Sequence, residues 1–319
     1  MLMHKNLFKA CCFAIILVGA GPGWCLAGLP PQLSEIVRQH YPGSHIESFE
    51  EKHENDQLVY KIEIESEDEH RTLEMREDGE ILTDEEKGGL PLIGGSLSLG
   101  FGVTSETSVY KGADDELQID PAIVYRNKRF QLQAYDGINT SYDVFAGERL
   151  RIAVFGELFT EGFDASDSRY LQGMTEPDMV FAAGLATFYR TDVGEFELKL
   201  LNDVTGEHDG QNIELAYKYP FRLFGAEITP SVSVTYLSAK AVDYYYGVSV
   251  AESRVGRPVY APDSALNVSA ELMGVYPLTS NLFLVGIVND TRLGSSVKDS
   301  PIVDSANEFS ATLGVLYTF

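Results

Sequence analysis

Cysteine is confined to the start of this 319-residue chain. The three cysteines are Cys11, Cys12 and Cys25, and all of them lie within the first 27 residues. This stretch has a basic start, a short apolar core and a small-residue exit, which predicts a secretory signal peptide over residues 1–27. The exported chain would then contain no cysteine, and this absence excludes disulfides, thiolate metal sites and cysteine nucleophiles.

Long apolar runs are lacking after the predicted signal peptide. No stretch there approaches the roughly 20 apolar residues that a membrane-spanning helix needs, so the sequence does not predict a helical membrane protein. The mean hydropathy is only −0.08, although the chain has 17 tyrosines and 17 phenylalanines. This combination is typical of membrane-spanning strands, in which apolar and polar residues alternate and their hydropathies average out.

Basic residues are also scarce. The chain has 24 lysines and arginines against 48 aspartates and glutamates, a formal net charge of −24, which argues against binding to nucleic acid by charge attraction. The imbalance is greatest over residues 30–87, with 18 acidic and 6 basic side chains. This acidity either keeps an exposed sheet edge in solution or favours basic partners. The acidic edge and turn comprise Glu63, Glu65, Glu67, Asp68 and Glu69.

Histidine is too rare in the second part of the chain to support catalysis. His208 is the only histidine after residue 94, and it lies beside Asp209 in a glycine-flanked turn. Hydrolysis at neutral pH needs a base held beside a nucleophile, and adjacent residues of a turn do not provide this arrangement. We interpret His208 as part of a solvated, exposed turn. The sequence therefore predicts no enzyme and no catalytic, cofactor or metal site.

Residues 30–87 have the pattern of a small α+β domain. Pro30–Pro31 begins a helix with apolar residues at helical spacing, and alternating strands follow, with a tight turn at Asp78–Gly79. A single helix followed by a small antiparallel sheet resembles the PepSY-like periplasmic domains, which are thought to modulate enzymes or bind partners. Residues 88–93 are rich in glycine and are interpreted as a linker.

The last eight residues carry a strong signal. Thr312 is polar, Gly314 follows two places later, and Tyr317 and Phe319 are aromatic. This pattern resembles the C-terminal signal that the bacterial barrel-assembly machinery reads. It predicts the closing strand of an outer-membrane barrel surrounded by lipid and lipopolysaccharide. Eight residues alone also fit an edge strand of a soluble sandwich, but the rest of the chain favours the barrel.

From residue 94 to residue 319 the sequence predicts an all-β transmembrane antiparallel barrel of about twelve strands, preceded by the small periplasmic α+β domain. Every second connection is short, as an even-stranded barrel with both termini in the periplasm requires. One short connection is assigned to a turn at residues 220–223. The loops at residues 160–176 and 239–263 are long, which makes a surface adhesin one functional hypothesis.

Strand alternation also predicts which charged side chains point into the barrel. Buried charges of both signs must pair or stay hydrated. They are interpreted either as structural salt bridges that fill a narrow interior or as the lining of a narrow channel or solute-binding barrel. The predicted inward-facing residues are Glu195, Glu197, Lys199, Glu214 and Lys218.

Short motifs occur in a fixed order along the barrel half. Their residues are Tyr110, Gly112, Tyr246, Gly247, Ser300, Pro301, Val303 and Asp304. Together they resemble the MipA/OmpV family of outer-membrane proteins, the MltA-interacting proteins. The resemblance implies a non-catalytic scaffold that links a lytic transglycosylase to a penicillin-binding protein. Family barrels often begin shortly after the signal, whereas residues 30–87 intervene here.

Deletion of Phe319 tests the predicted assembly signal. We expect the truncated chain to reach the outer membrane less efficiently than the wild type, because the assembly machinery would lack the terminal aromatic residue. The measurement is the amount of heat-modifiable, detergent-resistant protein in isolated outer membranes. Wild-type amounts of this form from the truncated chain would contradict the prediction.

Overall fold

The structure is a computed structural model, and it consists of two units. The predicted signal peptide, the linker at 88–93 and the acidic residues 67–69 lie outside the described residues, so these predictions stay open. The structure describes residues 29–41, 44–54, 57–65, 70–86, 95–134, 137–160 and 162–319.

The N-terminal unit is a helix packed on a four-stranded antiparallel sheet whose strands follow chain order. The helix begins with proline, which suits the first helical turn because no partner is needed there for its missing N–H. Leu33 and Val37 lie on one helical face and are buried against Ile62 and Leu73 of the sheet. The elements are α1 (Pro31–His40), β1 (His45–Glu54), β2 (Gln57–Glu65), β3 (His70–Arg76) and β4 (Ile81–Glu86).

A polar contact joins the end of this helix to the last strand of the sheet. The carboxylate of Asp84 accepts hydrogen bonds from the Tyr41 hydroxyl at 2.8 Å and from Arg71 Nη1 at 2.9 Å. Desolvation opposes ionisation of Asp84, but these two donors outweigh it and lower its pKa. Burial and the same carboxylate raise the pKa of Tyr41 to about 12. The contact therefore favours the ionised form of Asp84 and the protonated form of Tyr41.

The second unit is a closed antiparallel barrel of twelve strands, as the sequence predicts. It closes where the last strand pairs with the first, and a short thirteenth strand extends one hairpin. The strands are β5 (Gly95–Glu106), β6 (Glu116–Asn127), β7 (Phe130–Ala134), β8 (Ile138–Ala146), β9 (Leu150–Phe159), β10 (Val180–Thr191), β11 (Gly194–Asp203), β12 (Gln211–Lys218), β13 (Phe221–Leu223), β14 (Ala226–Leu237), β15 (Ala265–Pro277), β16 (Leu282–Arg292) and β17 (Asn307–Thr318).

Side chains alternate between the two surfaces of the barrel wall. In β11, Phe196, Leu198 and Leu200 are exposed, whereas Glu197 and Lys199 between them are buried. Exposed apolar side chains continue around the wall, which is the composition that a surface in contact with lipid requires. Among the described residues, no helix is both long enough and apolar enough to span a bilayer.

Five of the short connections and both ends of the barrel chain lie at one end, called here the turn end. The sequence pattern predicts a turn at residues 220–223, and this prediction is wrong because β13 occupies Phe221–Leu223 and pairs with β14. The chain reverses at Phe224 and Gly225, whose φ angles are 51° and 81°. Positive φ at both central residues is the requirement of a type I′ hairpin turn. An aromatic residue rarely adopts such a φ, so the sequence did not indicate this turn.

The long connections lie at the opposite, loop end and pack into a second apolar core. We call residues 107–115, 162–179, 204–210, 238–264 and 293–306 the loop cap. It contains two helices, α2 (Ala239–Tyr246) and α3 (Ser295–Lys298), which the sequence analysis did not predict. The buried cluster comprises Val109, Tyr110, Phe163, Leu171, Met174, Val180, Val242, Tyr245, Tyr246, Val248, Ala265, Leu293, Val297, Ile302 and Val303.

Because of this core, the 239–263 connection is not the freely exposed loop that the adhesin hypothesis assumed. Its helix α2 buries Val242 and two tyrosines within the cap. The apolar side chains of the connections stabilise the cap through burial. Any surface role of this segment must use the residues that remain exposed, such as Val250 and Val255.

Paired aspartate substitutions test the packing of the cap. Val242→Asp places a carboxylate in the buried cluster, where an unpaired charge is costly, and we expect it to release residues 238–264 for cleavage. Val255→Asp is the matched control, because Val255 is fully exposed in the same connection. The measurement is limited proteolysis of the folded protein in detergent micelles. Equal cleavage of the two variants would contradict the packing described here.

Candidate functional site in the barrel interior

A network of charged side chains lies inside the barrel on β11 and β12. Lys199 is 2% exposed and Glu197 is 0% exposed at the side chain. Lys199 Nζ is 3.1 Å from Glu197 Oε1 and 3.0 Å from Glu214 Oε1, and Lys218 Nζ is 2.7 Å from Glu197 Oε2. Glu195, also buried, lies 3.7 Å from Arg190 Nη2. The structure thus brings all five predicted inward-facing residues into one region.

Strand register explains this assembly. In the β11–β12 pairing, Glu195 is opposite Lys218 and Lys199 is opposite Glu214. Opposed residues of antiparallel strands share a face and have closely spaced side chains. Glu197 is opposite the small Ala216, which leaves space for lysines from both neighbouring rows to reach its carboxylate. Alternating charges along two paired strands therefore form a connected network across this part of the interior.

The network continues to the neighbouring strands. Arg151 Nη1 is 2.9 Å from Asp143 Oδ1, and its guanidinium lies 3.6 Å from the centre of the Phe188 ring. Lys199 Nζ also lies 5.1 Å from the centre of the Phe155 ring. Cations over aromatic faces gain electrostatic stabilisation in addition to their ion pairs. These contacts occupy interior space that an open pore would leave to water.

A cavity of about 90 Å³ separates the charge network from the loop cap. Residues of the charge network and tyrosines of α2 both line it. Its charged and aromatic lining includes Glu157, Lys199, Glu214, Tyr245, Tyr246 and Glu308.

The family-motif residues lie in the loop cap and hold its connections together. The Tyr110 ring stacks on that of Tyr246 with centroids 5.8 Å apart, and Tyr110 forms an isolated antiparallel bridge with Val303. Ser300 Oγ donates a hydrogen bond to the Tyr246 carbonyl at 2.6 Å. Asp304 donates its backbone N–H to the carbonyl of Val109. Motifs about 190 residues apart in sequence therefore meet in one packed structure, with Pro301 beside them.

The two motif glycines permit close approaches. Gly112 has a φ of +70°, and an added Cβ would lie 3.1 Å from the ring of Tyr170. Gly247 ends α2 with an ordinary negative φ, but an added Cβ would lie 2.3 Å from the carbonyl oxygen of Asp243. The conformation favours glycine at the first position, and space requires it at the second.

Two further cap residues, Glu252 and Arg257, join the connections at 162–179 and 238–264. Glu252 Oε1 accepts the N–H of Thr175 at 2.8 Å, and hydrogen bonding of this kind lowers its pKa against the opposing effect of desolvation. Buried Arg257 donates to the carbonyls of Tyr170 and Glu252. The sequence alone does not indicate this role of Arg257, because one arginine in a loop forms no recognisable pattern.

His208 is not the solvated, exposed residue that the sequence analysis described. Its side chain is only 5% exposed, and its ring packs against Tyr244 and Tyr245 with centroid distances of 5.3 and 6.0 Å. Nδ1 accepts the backbone N–H of Gly210 at 2.7 Å. Desolvation lowers the pKa of His208, although nearby Asp203 opposes this effect. His208 is thus a neutral packing residue of the cap.

The four residues of the C-terminal pattern lie on or just after β17, which pairs with β5. Thr312 Oγ1 is 2.9 Å from Thr104 Oγ1 across the closing pair. Gly314 is opposite Gly102, and an added Cβ would lie 2.8 Å from the carbonyl oxygen of Phe101. Tyr317 and Phe319 are exposed at the turn end. Their role as an assembly signal stays a prediction.

Removing the central cation tests whether the interior network supports the fold. We expect Lys199→Met to destabilise the barrel by about 3–5 kcal/mol, because it leaves buried carboxylates without their cation. Lys240→Met is the matched control: its ion pair with Asp209 is exposed, so its loss should cost less than about 1 kcal/mol. Urea titration followed by the heat-modifiable band measures both variants. Equal midpoints would show that the network is energetically unimportant.

Known proteins share the barrel. The family model described as MltA-interacting protein MipA matches residues 99–319. The MltA-interacting protein of Escherichia coli (strain K12) is 28% identical over 229 residues, covering 70% of this chain and 91% of that protein. Outer membrane protein OmpV of Vibrio cholerae serotype O1 is 25% identical over 185 residues, covering 57% of this chain and 71% of that protein.

A solved porin is similar to this chain at much lower identity. The solved NanC porin has a TM-score of 0.41 and 8% identity, covering 69% of this chain and 98% of that chain. The family match extends from within β5 to the last residue, so it includes the loop cap and the interior network. It confirms the resemblance found from the motifs. The chain is an outer-membrane β-barrel protein and belongs to the MltA-interacting protein (MipA) family.

Proposed function

We propose that this protein is a non-catalytic outer-membrane scaffold for enzymes that remodel peptidoglycan, a lytic transglycosylase and a penicillin-binding protein. The observation that carries the proposal is the occupied interior of a MipA-family barrel. The network around Lys199 and the loop cap both fill space that a transport pathway would need. The surface of the protein is then the part available for binding partner proteins.

The absence of a catalytic arrangement among the described residues supports the non-catalytic part of the proposal. His208, which is the one histidine of the barrel, uses Nδ1 as an acceptor for Gly210 and packs against tyrosines. Its nearest carboxylate, Asp203, lies 3.8 Å from Nδ1 and accepts the backbone N–H groups of His208 and Asp209. A base held in this way has no nucleophile to activate.

We assign partner binding to residues 30–87. At the turn end the barrel offers only short connections, whereas this unit has a sheet of four strands and a strongly acidic composition. Exposed glutamates such as Glu50 and Glu51 lie on β1, an edge strand of that sheet. Acidic edges favour basic partner surfaces, and salt screens such attraction over about 10 Å at 0.1 M ionic strength. The PepSY-like order of elements is consistent with this assignment.

Affinity purification tests the scaffold function. The full chain and a variant lacking residues 30–87 are purified from solubilised envelopes at low and moderate salt. We expect the full chain to recover a transglycosylase and a penicillin-binding protein, less of each at moderate salt, and the variant to recover neither. Heat modifiability of the variant controls for barrel assembly.

Two outcomes would contradict the proposal in different ways. Recovery of the same enzymes by the assembled variant would refute the role of residues 30–87 and place the scaffold surface on the barrel. Failure of the full chain to recover either enzyme at low salt would refute the scaffold function itself.

A further inference from the structure

The cavity beneath the loop cap has acceptors that the protein leaves unused. Glu157 lines it and is only 5% exposed, and Lys199 attracts its carboxylate through charge without a hydrogen bond or close ion pair. Asn212 also lines it, and its Oδ1 is buried without a hydrogen-bond partner in the described part of the chain. A buried carboxylate without a donor is costly. Two unsatisfied acceptors in one cavity therefore indicate a missing donor.

The neighbouring cation is engaged elsewhere. The ammonium of Lys199 is already shared between Glu197 and Glu214, at 3.1 and 3.0 Å. Asn139 is directly opposite Glu157 in the β8–β9 pairing, and its own Oδ1 is likewise buried without a partner within the described ranges. The surroundings of Glu157 thus add amide groups and negative charge but no further cation.

The geometry points to a cavity that binds a small organic ammonium ion, and we propose this as a ligand site independent of the scaffold function. The N–H groups of a primary ammonium match the acceptors of Glu157 and Asn212. Its positive charge compensates the buried carboxylate, and the tyrosine rings of α2 provide aromatic faces that favour cations. The cavity volume of about 90 Å³ is several times the roughly 10–15 Å³ that one water molecule needs.

Other ligand classes fit this lining less well. A calcium ion takes six to eight oxygen ligands, with carboxylates prominent among them, and no cluster of three or more histidine, cysteine or acidic residues able to hold a metal occurs in the described part of the chain. An anion would meet Glu157, Glu214 and Glu308 against one lysine that is already paired. An organic ammonium ion satisfies both the charge and the unused acceptors.

Binding of n-propylammonium to the full chain in detergent micelles tests the site. Calorimetry measures binding of the ion to the folded protein. We expect binding by the wild type, at least tenfold weaker binding by Glu157→Gln, and unchanged binding by Glu148→Gln, which alters an exposed glutamate of a short turn. Uncharged n-propanol should not bind.

A stability measurement gives an independent readout. A ligand that binds only the folded state raises the temperature at which that state is lost, so n-propylammonium should raise the temperature of the heat-modifiable transition in the wild type and Glu148→Gln, and not in Glu157→Gln. Equal shifts in all three proteins, no binding to the wild type, or Glu157-dependent binding of Mg²⁺ in place of the ammonium ion would each overturn the proposal. None of these results bears on recovery of cell-wall enzymes.

Discussion

The main constraint on this structure is that a charge inside a narrow barrel must be neutralised there. A twelve-stranded wall sends every second side chain inward, and the lipid outside accepts only apolar groups. Lys199 and Lys218 consequently both form ion pairs with the Glu197 carboxylate, and Lys199 forms a second ion pair with Glu214. Strand register at this place is fixed by the pairing, since a shift of one residue would turn the whole charged row towards lipid.

The loop cap meets the opposite constraint. Its apolar side chains lie beyond the membrane-spanning wall, so they must bury one another to leave water. They do this around Tyr110, Tyr246 and Val303, which belong to three different connections. The polar groups of the cap then satisfy backbone atoms, as Glu252 and Arg257 do. Charge pairing below and apolar packing above enclose the cavity between them, which is why its lining combines carboxylates with tyrosines.

Much of this organisation follows from sequence because a period of two is a local property. The strands, the inward row from Glu195 to Lys199 and the exposed apolar row beside it can all be read from alternation. The cap cannot, because its order depends on contacts between distant connections. Helix α2 is too short for a clear helical period. Phe224 adopts a positive φ that aromatic residues rarely take. His208 is buried because the tyrosines of α2 pack on its ring. The family motifs marked the cap without revealing that it is a core.

Closure of the barrel also sets an order of events. Ser98 Oγ lies 2.8 Å from Thr318 Oγ1, although the two residues are 220 positions apart. In the N-terminal unit, by contrast, the hydroxyl of Tyr41 reaches Asp84 across only 43 positions. Contacts between residues that are close in sequence form quickly, and distant ones form slowly. The N-terminal unit can therefore complete its fold while the barrel is still an open sheet, so that its surface is finished before the membrane part exists.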